Sequence, residues 1–256
     1  MKIVEAVIFS VVEGITEFLP ISSTGHLILT GQLLHLSQTE FLKSFEIAIQ
    51  LGAILSVVVL YGRSFLVNFE ILKRVLAAFM PTAVLGFLFY KAVKRFLLAG
   101  SQTVLWSLFL GGIFLVAFEL LYREKEGAVD DIAQIPYSKA VLIGVFQSIA
   151  MVPGVSRAAA TIYGGLILGL KRKTIVEFSF LLAVPTMAAA VALDLLKSAA
   201  AFSAGDLGML GTGLVISFAV ALFAVKFLLG FIKNHNFIPF GIYRIALALI
   251  FWLIQR

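Results

Sequence analysis

The sequence predicts an all-α polytopic membrane protein, with six spanning helices and two re-entrant pairs of half-helices arranged as an inverted repeat. Three observations support this. The 256 residues are 61% hydrophobic and only 13% charged, with a mean hydropathy of +1.06. Apolar stretches of about 20 residues, the length that a helix needs to cross a bilayer, recur along the chain. Two further apolar segments are each interrupted near the middle by Pro, Gly and polar residues, and their polar clusters resemble each other.

Six stretches are continuous enough to be spanning helices. They are residues 45–61, 76–96, 102–122, 175–196, 208–230 and 238–255. The segment from Arg63 to Arg74 is predicted to lie at the membrane interface. The charged stretch 123–137 is predicted to be a solvated loop that connects two halves of one membrane domain.

The two interrupted segments, residues 2–35 and 138–170, fit poorly as single spans. Proline ends or kinks a helix, and glycine permits unusual backbone angles. Non-helical backbone at membrane depth is tolerated only where it is buried in protein or lines a wet cavity. Each segment is therefore predicted to be a re-entrant pair of half-helices.

The polar clusters of these segments align as an internal repeat. With Glu13 placed on Gln147, a one-residue gap brings Pro20 onto Pro153 and Ser23 onto Ser156. The alignment divides the chain into a first repeat of about 1–122 and a second of about 138–256. Three full spans in each half is an odd number, so the second half must enter from the opposite side. Such inverted repeats commonly place a site at the midplane between the halves.

Charge and cysteine content exclude several classes of function. The chain has no cysteine, which excludes disulfides, thiolate metal sites and cysteine nucleophiles. The net charge of +6 is spread over short loops, as expected for topology control and attraction to anionic membrane lipid. Nucleic-acid binding is not expected, because no soluble module offers a basic face interleaved with aromatic residues. Seven basic loop residues are predicted on the side of the N-terminus and ten on the opposite side. Because basic loops favour the cytoplasm, this difference favours placing both termini outside it.

Glu13 and Glu17 are four residues apart, so they share one face of a helix. Two carboxylates this close suit a divalent cation with oxygen ligands. They equally suit one base that is positioned by the other. Two solvated surface acids would be a poor explanation in a segment this apolar.

The hydroxyls of Ser22, Ser23 and Thr24 are followed by the imidazole of His26. A hydroxyl near an imidazole and a carboxylate is the general pattern of an activated nucleophile. One of the three hydroxyls is expected to cap the following half-helix instead. Capping explains neither the histidine nor the two glutamates.

The second cluster, residues 153–157, has the features of an anion site. Backbone N–H groups at the start of a helix, the Ser156 hydroxyl and the Arg157 guanidinium all favour phosphate oxygens. The alternative is a structural arginine that pairs with Glu17 or Glu177, and both roles can coexist. Residues Glu46 and Gln50 share one face of the first full span and are predicted to line the same cavity behind the reacting groups.

The two clusters resemble the motifs of a known family, the integral-membrane undecaprenyl-diphosphate phosphatases of bacteria, also called bacitracin-resistance proteins. Residues 13–27 (EGITEFLPISSTGHL) look like that family's first motif, and residues 153–157 (PGVSR) with Thr161 look like its second. The match is specific in residue type, order and spacing. Ala158 is a departure, because a serine is expected after the arginine.

This resemblance implies hydrolysis of a C55 polyprenyl diphosphate to the monophosphate, with release of inorganic phosphate. It also implies recycling of the cell-wall lipid carrier and resistance to bacitracin, which sequesters the diphosphate. Similar proteins are bacterial inner-membrane enzymes that are helped by a divalent cation, Mg²⁺ or Ca²⁺, with the site facing the periplasm. Whether the protein is a monomer or a homodimer is left open.

The candidate site residues fall into four groups on this hypothesis. Predicted catalytic residues are Glu17, Ser23, His26 and Arg157, with Ser23 as nucleophile or holder of the attacking water and His26 as acid and base. Glu17 would orient or deprotonate the nucleophile. Predicted substrate contacts are Ser22, Thr24, Gly154 and Ser156. The predicted metal ligands are Glu13 and Glu17, with Glu46 and Gln50 behind them.

Two other functions compete with this hypothesis. Inverted repeats with broken helices are typical of secondary transporters, so a transporter or flippase of polyprenyl phosphate lipids is the main alternative. A carrier, however, needs no nucleophile with a base. An intramembrane serine protease would need its serine and histidine on separate spans and would have no use for Arg157.

Overall fold

The computed structural model describes residues 1–37, 39–89, 101–198 and 207–255, and these residues are almost entirely helical. Within them the structure has ten α-helices, two short 3₁₀ turns and, in place of any strand, an isolated bridge between Val129 and Leu170. The helices are α1 (Ile3–Thr16), α2 (Ser23–Leu33), α3 (Glu40–Val67), α4 (Phe69–Leu88), α5 (Ser101–Leu121), α6 (Tyr137–Ser148), α7 (Arg157–Ile167), α8 (Arg172–Ser198), α9 (Leu207–Phe231) and α10 (Ile238–Ile254). The all-α prediction is confirmed for the described residues.

Among the described residues, five helices are long and apolar enough to cross a membrane. They lie in α3 (Ser44–Arg63), α4, α5, α8 (Arg172–Leu193) and α9. The sixth predicted span is α10, which is apolar but has only 17 residues. At 1.5 Å per residue it is about 25 Å long, somewhat less than the hydrocarbon core.

The region between the first two spans differs from the prediction. The segment predicted to lie at the interface is helical on both sides of Asn68, since α3 continues to Val67 and α4 begins at Phe69. Asn68 separates them, and its side chain accepts hydrogen bonds from the backbone N–H groups of Glu70 and Ile71. This cap ends one helix and starts the next within a single residue. The second span is therefore residues 69–88 rather than 76–96, of which residues 90–96 lie outside the described residues.

The starts of the two broken pairs, and both bounds of their second helices, repeat with one offset. Helices α1 and α6 begin at residues 3 and 137, and α2 and α7 cover 23–33 and 157–167, so the offset is 134 residues in each comparison (137 less 3, 157 less 23, 167 less 33). The predicted one-residue gap is thus wrong. Without it Glu13 still falls on Gln147, but Ser156 matches Ser22 instead of Ser23.

Backbone geometry supports this register. Ser22 and Ser156 are the N-caps of α2 and α7, with φ of 71° and 80°. Each hydroxyl accepts a hydrogen bond from the backbone N–H three residues later, on Gly25 and Ala159. The cap geometry fixes the register, whereas the gap had come from superimposing two prolines that do not occupy equivalent positions. Ser23 and Arg157, the first residues of the two helices, are the true counterparts.

The breaks form where the chain turns between paired helices. The second break contains the 3₁₀ turn Ile149–Met151 and then Gly154, whose φ is +91°. A Cβ at Gly154 would lie 2.8 Å from the Val104 carbonyl oxygen and from the Ser107 Cβ. Both the backbone angle and the close approach to α5 therefore require glycine at this position.

The first helix of each broken pair packs against a helix from the other half of the chain. Helix α1 packs on α9, and α6 packs on α4. Helix α10 packs along α5, and α3 contacts both α8 and α9. The two halves are interlocked, which brings the two breaks to the same interior region.

Candidate active site

A cavity of about 260 Å³ lies between the two breaks. Its polar wall comes from both of them: Glu17, Ser22, Ser23 and Thr24 from the first, and Gly154, Ser156 and Arg157 from the second. Gln50 of α3, Thr82, Gln147 and Thr186 add further polar groups, and Ala150, Met151, Pro153, Met187 and Ala190 form an apolar side. Two segments more than a hundred residues apart in sequence thus share one pocket.

Glu17 connects the two halves of the site. One carboxylate oxygen, Oε2, accepts a hydrogen bond of 2.5 Å from the Ser23 hydroxyl. The other, Oε1, accepts from Nε and Nη2 of Arg157 at 3.3 and 3.2 Å. Glu17 is only 7% exposed, so this carboxylate has little contact with solvent. A carboxylate in this position can take the serine proton while the guanidinium holds it in place.

Arg157 occupies the first turn of α7 and has three kinds of contact. Besides the ion pair with Glu17, its Nη1 donates to the Ser179 carbonyl oxygen at 2.9 Å. Its guanidinium carbon lies 5.9 Å from the centre of the Phe18 ring. The predicted alternative partner, Glu177, lies instead 4.0 Å from Lys173. Arg157 therefore pairs with Glu17 and also borders the cavity, so the two predicted roles coexist.

His26 does not meet Ser23 in this structure. Its Nδ1 donates to the Ser22 carbonyl oxygen at 2.8 Å, because a carbonyl can only accept. With the proton on Nδ1, the neutral ring accepts at Nε2 from the Tyr243 hydroxyl at 2.7 Å. The serine side chain turns back to Glu17, six residues earlier, rather than forward along α2. His26 thus supports the backbone of Ser22 from outside the cavity wall.

Glu13 lies deeper than Glu17 and is fully buried. Among the described residues, neither of its carboxylate oxygens has a hydrogen-bond partner. Glu17, Glu46 and Arg157 lie close enough to Glu13 for their charges to interact with it. Burying a carboxylate without a donor is costly, so this position suits a cation.

The predicted Glu13–Glu17 metal pair fits only in part. Both oxygens of Glu17 are engaged by Ser23 and Arg157, which leaves Glu13 as the carboxylate with free oxygens. No group of three or more His, Cys, Asp or Glu side chains that could hold a metal occurs in the described part of the chain. A divalent cation beside Glu13 would need water and phosphate oxygens to complete its coordination, which is common for Mg²⁺.

Gln147 contributes a polar group that the sequence did not mark as functional. Its Nε2 donates to the hydroxyls of Thr82 and Thr186 at 2.8 and 3.1 Å. Those hydroxyls donate in turn to the carbonyl oxygens of Gly144 and Leu182, so the amide can face them only with its NH₂ group. The Gln147 Oε1 is left as a buried acceptor with no partner among the described residues. Only the spatial meeting of three helices reveals this group.

The sequence analysis also missed Arg244, in the middle of α10. It is fully buried and contacts both breaks. An arginine inside an apolar helix is itself a signal, because an ionisable residue at membrane depth is costly. That signal was available in the printed sequence.

Comparison with known proteins places the chain in a family. The family model described as "Bacitracin resistance protein BacA" matches residues 6–250. Curated proteins named "Undecaprenyl-diphosphatase" are similar over nearly their whole length. The protein from Sulfurihydrogenibium sp. (strain YO3AOP1) is 54% identical over 253 residues, 99% of each chain. That from Persephonella marina is 53% identical over 253 residues, also 99% of each. That from Aquifex aeolicus is 52% identical over 247 residues, 96% of each. The chain therefore belongs to the BacA family of bacitracin resistance proteins.

Proposed function

We propose that this protein hydrolyses undecaprenyl diphosphate to undecaprenyl phosphate and inorganic phosphate. The activity recycles the cell-wall lipid carrier and gives resistance to bacitracin. The observation that carries the proposal is the continuous Ser23–Glu17–Arg157 hydrogen-bond chain on the wall of one cavity. This hydrogen-bond chain supplies a nucleophile, a base and a phosphate-binding cation. The protein is also 50 to 54% identical to four proteins named "Undecaprenyl-diphosphatase".

The reaction begins at Ser23. Glu17 accepts a proton from the Ser23 hydroxyl, or from a water that this hydroxyl holds, as the oxygen attacks the terminal phosphorus. The bond from that phosphorus to the bridging oxygen breaks, and the polyprenyl phosphate leaves with the electron pair. If Ser23 is the attacking group, water then hydrolyses the phosphoserine. Phosphoryl transfer depends mainly on positioning and charge neutralisation, which this arrangement provides.

The second break supplies the phosphate cradle. Arg157 neutralises the charge on the terminal phosphate, and its planar fork matches phosphate oxygens. The amides at the start of α7 and the Ser156 hydroxyl add donors at a helix N-terminus. Gly154 lets the backbone approach closely, while Ser22 and Thr24 contact the phosphates from the opposite wall. His26 acts through Ser22 in this arrangement, since its ring nitrogens bind the Ser22 carbonyl and Tyr243.

Glu13 is the residue of this chain best suited to hold a divalent cation, Mg²⁺ or Ca²⁺. Such a cation, when bound, supplies additional charge neutralisation for the diphosphate. Glu46 and Gln50 support the site from α3: the charge of Glu46 reaches Glu13, and Gln50 lines the cavity. In this proposal Glu17 is not a main ligand of the cation, and it contributes a neighbouring negative charge.

The fold is proposed to be an inverted repeat of residues 1–122 and 138–256, joined by the loop 123–137. The common offset of 134 residues and the reciprocal packing of α1 on α9 and α6 on α4 support it. Helices α1 and α2 have 14 and 11 residues, fewer than the roughly 20 that a span requires. Each broken pair is therefore proposed to be re-entrant, with α3, α4, α5, α8, α9 and α10 as the six spans.

We place the protein in the bacterial inner membrane with the cavity facing the periplasm. The excess of loop basic residues on the side away from the termini favours periplasmic termini, and the family resemblance implies a periplasmic site. The apolar side of the cavity, formed by Met151, Met187 and Ala190, is suited to the first isoprene units of the lipid tail. Ala190 is exposed on the surface of α8, so the tail can pass from there into lipid.

The transporter hypothesis is less well supported by this geometry. Paired broken helices do suit a carrier, but a carrier gains nothing from a serine held 2.5 Å from a buried carboxylate. The protease hypothesis loses its central feature, since the Ser23 hydroxyl bonds to Glu17 and His26 bonds elsewhere.

The deciding experiment uses the full chain purified in detergent. Farnesyl diphosphate or undecaprenyl diphosphate is added with Mg²⁺, with Ca²⁺ or with a chelator, and released phosphate is measured. We expect release by the wild type, loss in Ser23→Ala, and no change in Ser138→Ala, an exposed position at the start of α6. Absence of release under every cation condition would overturn the proposed function.

A further inference from the structure

Arg244 is a buried cation that donates hydrogen bonds to five backbone carbonyls of the described residues. Nη2 donates to the oxygens of Ser107 and Gly154, both at 2.9 Å, and Nη1 donates to those of Val155 and Pro20 at 3.0 and 3.3 Å. Nε donates to the Leu108 oxygen at 3.4 Å. The residue has no exposed surface, and no carboxylate of the described residues pairs with it. Its charge is compensated by peptide dipoles alone.

These carbonyls belong to three separate parts of the chain. Pro20 lies in the first break, Gly154 and Val155 lie in the second, and the remaining two acceptors are on α5. A single guanidinium therefore joins the nucleophile-bearing segment to the phosphate-binding segment. Arg244 is not among the cavity-lining residues, so it holds the two breaks from behind.

The hydrogen bonds to Arg244 also orient the peptide groups. In a planar trans peptide the C=O and the following N–H point in opposite directions. Because the Val155 carbonyl points to Arg244, the N–H of Ser156 points away from it, on the side where Ser156 lines the cavity. We infer that this orientation leaves the Ser156 amide available to a phosphate in the cavity.

We propose that Arg244 is a positioning residue of the phosphate site. It keeps the two breaks in register, so that the Ser23–Glu17 pair faces Arg157 and the Ser156 amide across the cavity. The inference rests on the proposed phosphatase function for its catalytic consequence, but not for its structural one. Misplacement of a reacting group by about 1 Å can cost on the order of 100-fold in rate.

A glycine offers a way to displace the guanidinium without removing its charge. A Cβ at Gly111 of α5 would lie 2.1 Å from Nη2 of Arg244. Gly111→Ala must therefore push the guanidinium out of its position. Gly211→Ala in α9 is the matched control, because nothing lies within 4 Å of a Cβ there.

The first measurement is the rate of phosphate release. We expect kcat to fall about 100-fold in Arg244→Gln and at least tenfold in Gly111→Ala, with Arg244→Lys between Arg244→Gln and the wild type. Lysine keeps the charge but cannot bind carbonyls of both breaks with a planar fork. Gly211→Ala should keep the wild-type kcat. Thermal unfolding of each variant identifies any that fail to fold, and Gly111→Ala then remains as the decisive variant.

The second measurement reports the register of the breaks directly. Leu33 and Ile167 are the last residues of α2 and α7, and both are exposed. The chain contains no cysteine, so Leu33→Cys with Ile167→Cys provides two unique positions for spin labels. We expect one narrow distance distribution in the wild type and in Gly211→Ala. The distribution should broaden or shift in Gly111→Ala and Arg244→Gln.

The inference is supported only if the lower kcat and the altered distance occur together in Gly111→Ala. A kcat within threefold of the wild type, or a lower kcat with an unchanged distance, would overturn it. If the wild type itself releases no phosphate, the proposed function fails. The distance measurement would still decide whether Arg244 holds the two breaks together.

Discussion

The two broken helices have the same backbone and opposite chemistry. Helices α2 and α7 begin after serine caps with nearly the same φ, 134 residues apart (157 less 23). At the first position of these helices, one half has Ser23 and the other has Arg157. One half thus presents a hydroxyl, which we propose as the nucleophile, and the other presents a guanidinium, which we propose to bind the phosphate. The comparison teaches that the repeat supplies the frame, while a few side-chain differences supply the reaction.

A second difference lies one helix earlier, at Glu13 and Gln147. Two threonines hold the Gln147 amide, whereas neither oxygen of Glu13 has a hydrogen-bond partner among the described residues. The Gln147 side chain is neutral and its NH₂ group has two partners although its Oε1 has none, whereas Glu13 would bury a charge without any donor, which costs more free energy. In the proposed mechanism the second half binds the anion and the first half carries the reacting groups.

The largest effect should come from removing the group that joins the two halves. Glu17→Gln keeps the shape of the side chain but abolishes the base and the ion pair with Arg157, so phosphate release should fall by about 100- to 1000-fold. Steady-state phosphate release measures it, with Glu126→Gln in the exposed loop as the control. A Glu17→Gln variant that keeps a tenth of the wild-type rate would remove Glu17 from the mechanism.

The next largest effect should come from replacing the Arg157 guanidinium. Arg157→Lys keeps the charge but loses the planar fork that binds phosphate oxygens and Glu17 together, so kcat/KM should fall by roughly tenfold to 100-fold. The matched control is Arg123→Lys in the exposed connecting loop. Equal kcat/KM values for Arg157→Lys and the wild type would show that charge alone suffices.

A third variant makes the two halves alike at the position before the break. In Gln147→Glu the carboxylate faces two hydroxyls that already donate to carbonyls, so the free energy of unfolding should fall by about 1–3 kcal/mol. Unfolding in denaturant measures this, with the exposed Gln134→Glu as the control. If both variants unfolded at the same denaturant concentration, the amide orientation assigned to Gln147 would be wrong.

The smallest effect should come from the histidine. Tyr243→Phe removes one hydrogen bond to His26, which is worth about 0.5–1.5 kcal/mol, so phosphate release should fall by no more than about tenfold. His26→Gln should behave similarly. A loss as large as that of Glu17→Gln would restore His26 as the acid and base of the reaction.

Local residue types predicted much of this arrangement. Pro and Gly beside acids and hydroxyls marked both breaks, and the buried charges made a shared cavity the natural expectation. The structure brings Glu17, Ser23 and Arg157 together as the spacing suggested. The spans at α3, α5, α8 and α9 followed from hydropathy alone.

What escaped prediction depends on contacts between distant helices. The partner of His26 is Tyr243, 217 residues later, and no spacing rule links them. The register of the repeat was misplaced by one residue because prolines were matched, whereas the serine caps define the equivalence. Asn68 lies within the segment from Arg63 to Arg74 that hydropathy separates from both spans, and a single cap at this residue joins two helices end to end.

The location of Arg244 has a consequence for how the protein is made. The residue that fastens both breaks is in α10, the last described helix, while Ser23, Glu17 and Arg157 all precede it in the chain. During translation, Glu17, Ser23 and Arg157 are therefore synthesised before Arg244. If Arg244 positions the site as we propose, a nascent polypeptide that still lacks α10 should be inactive toward the lipid carrier.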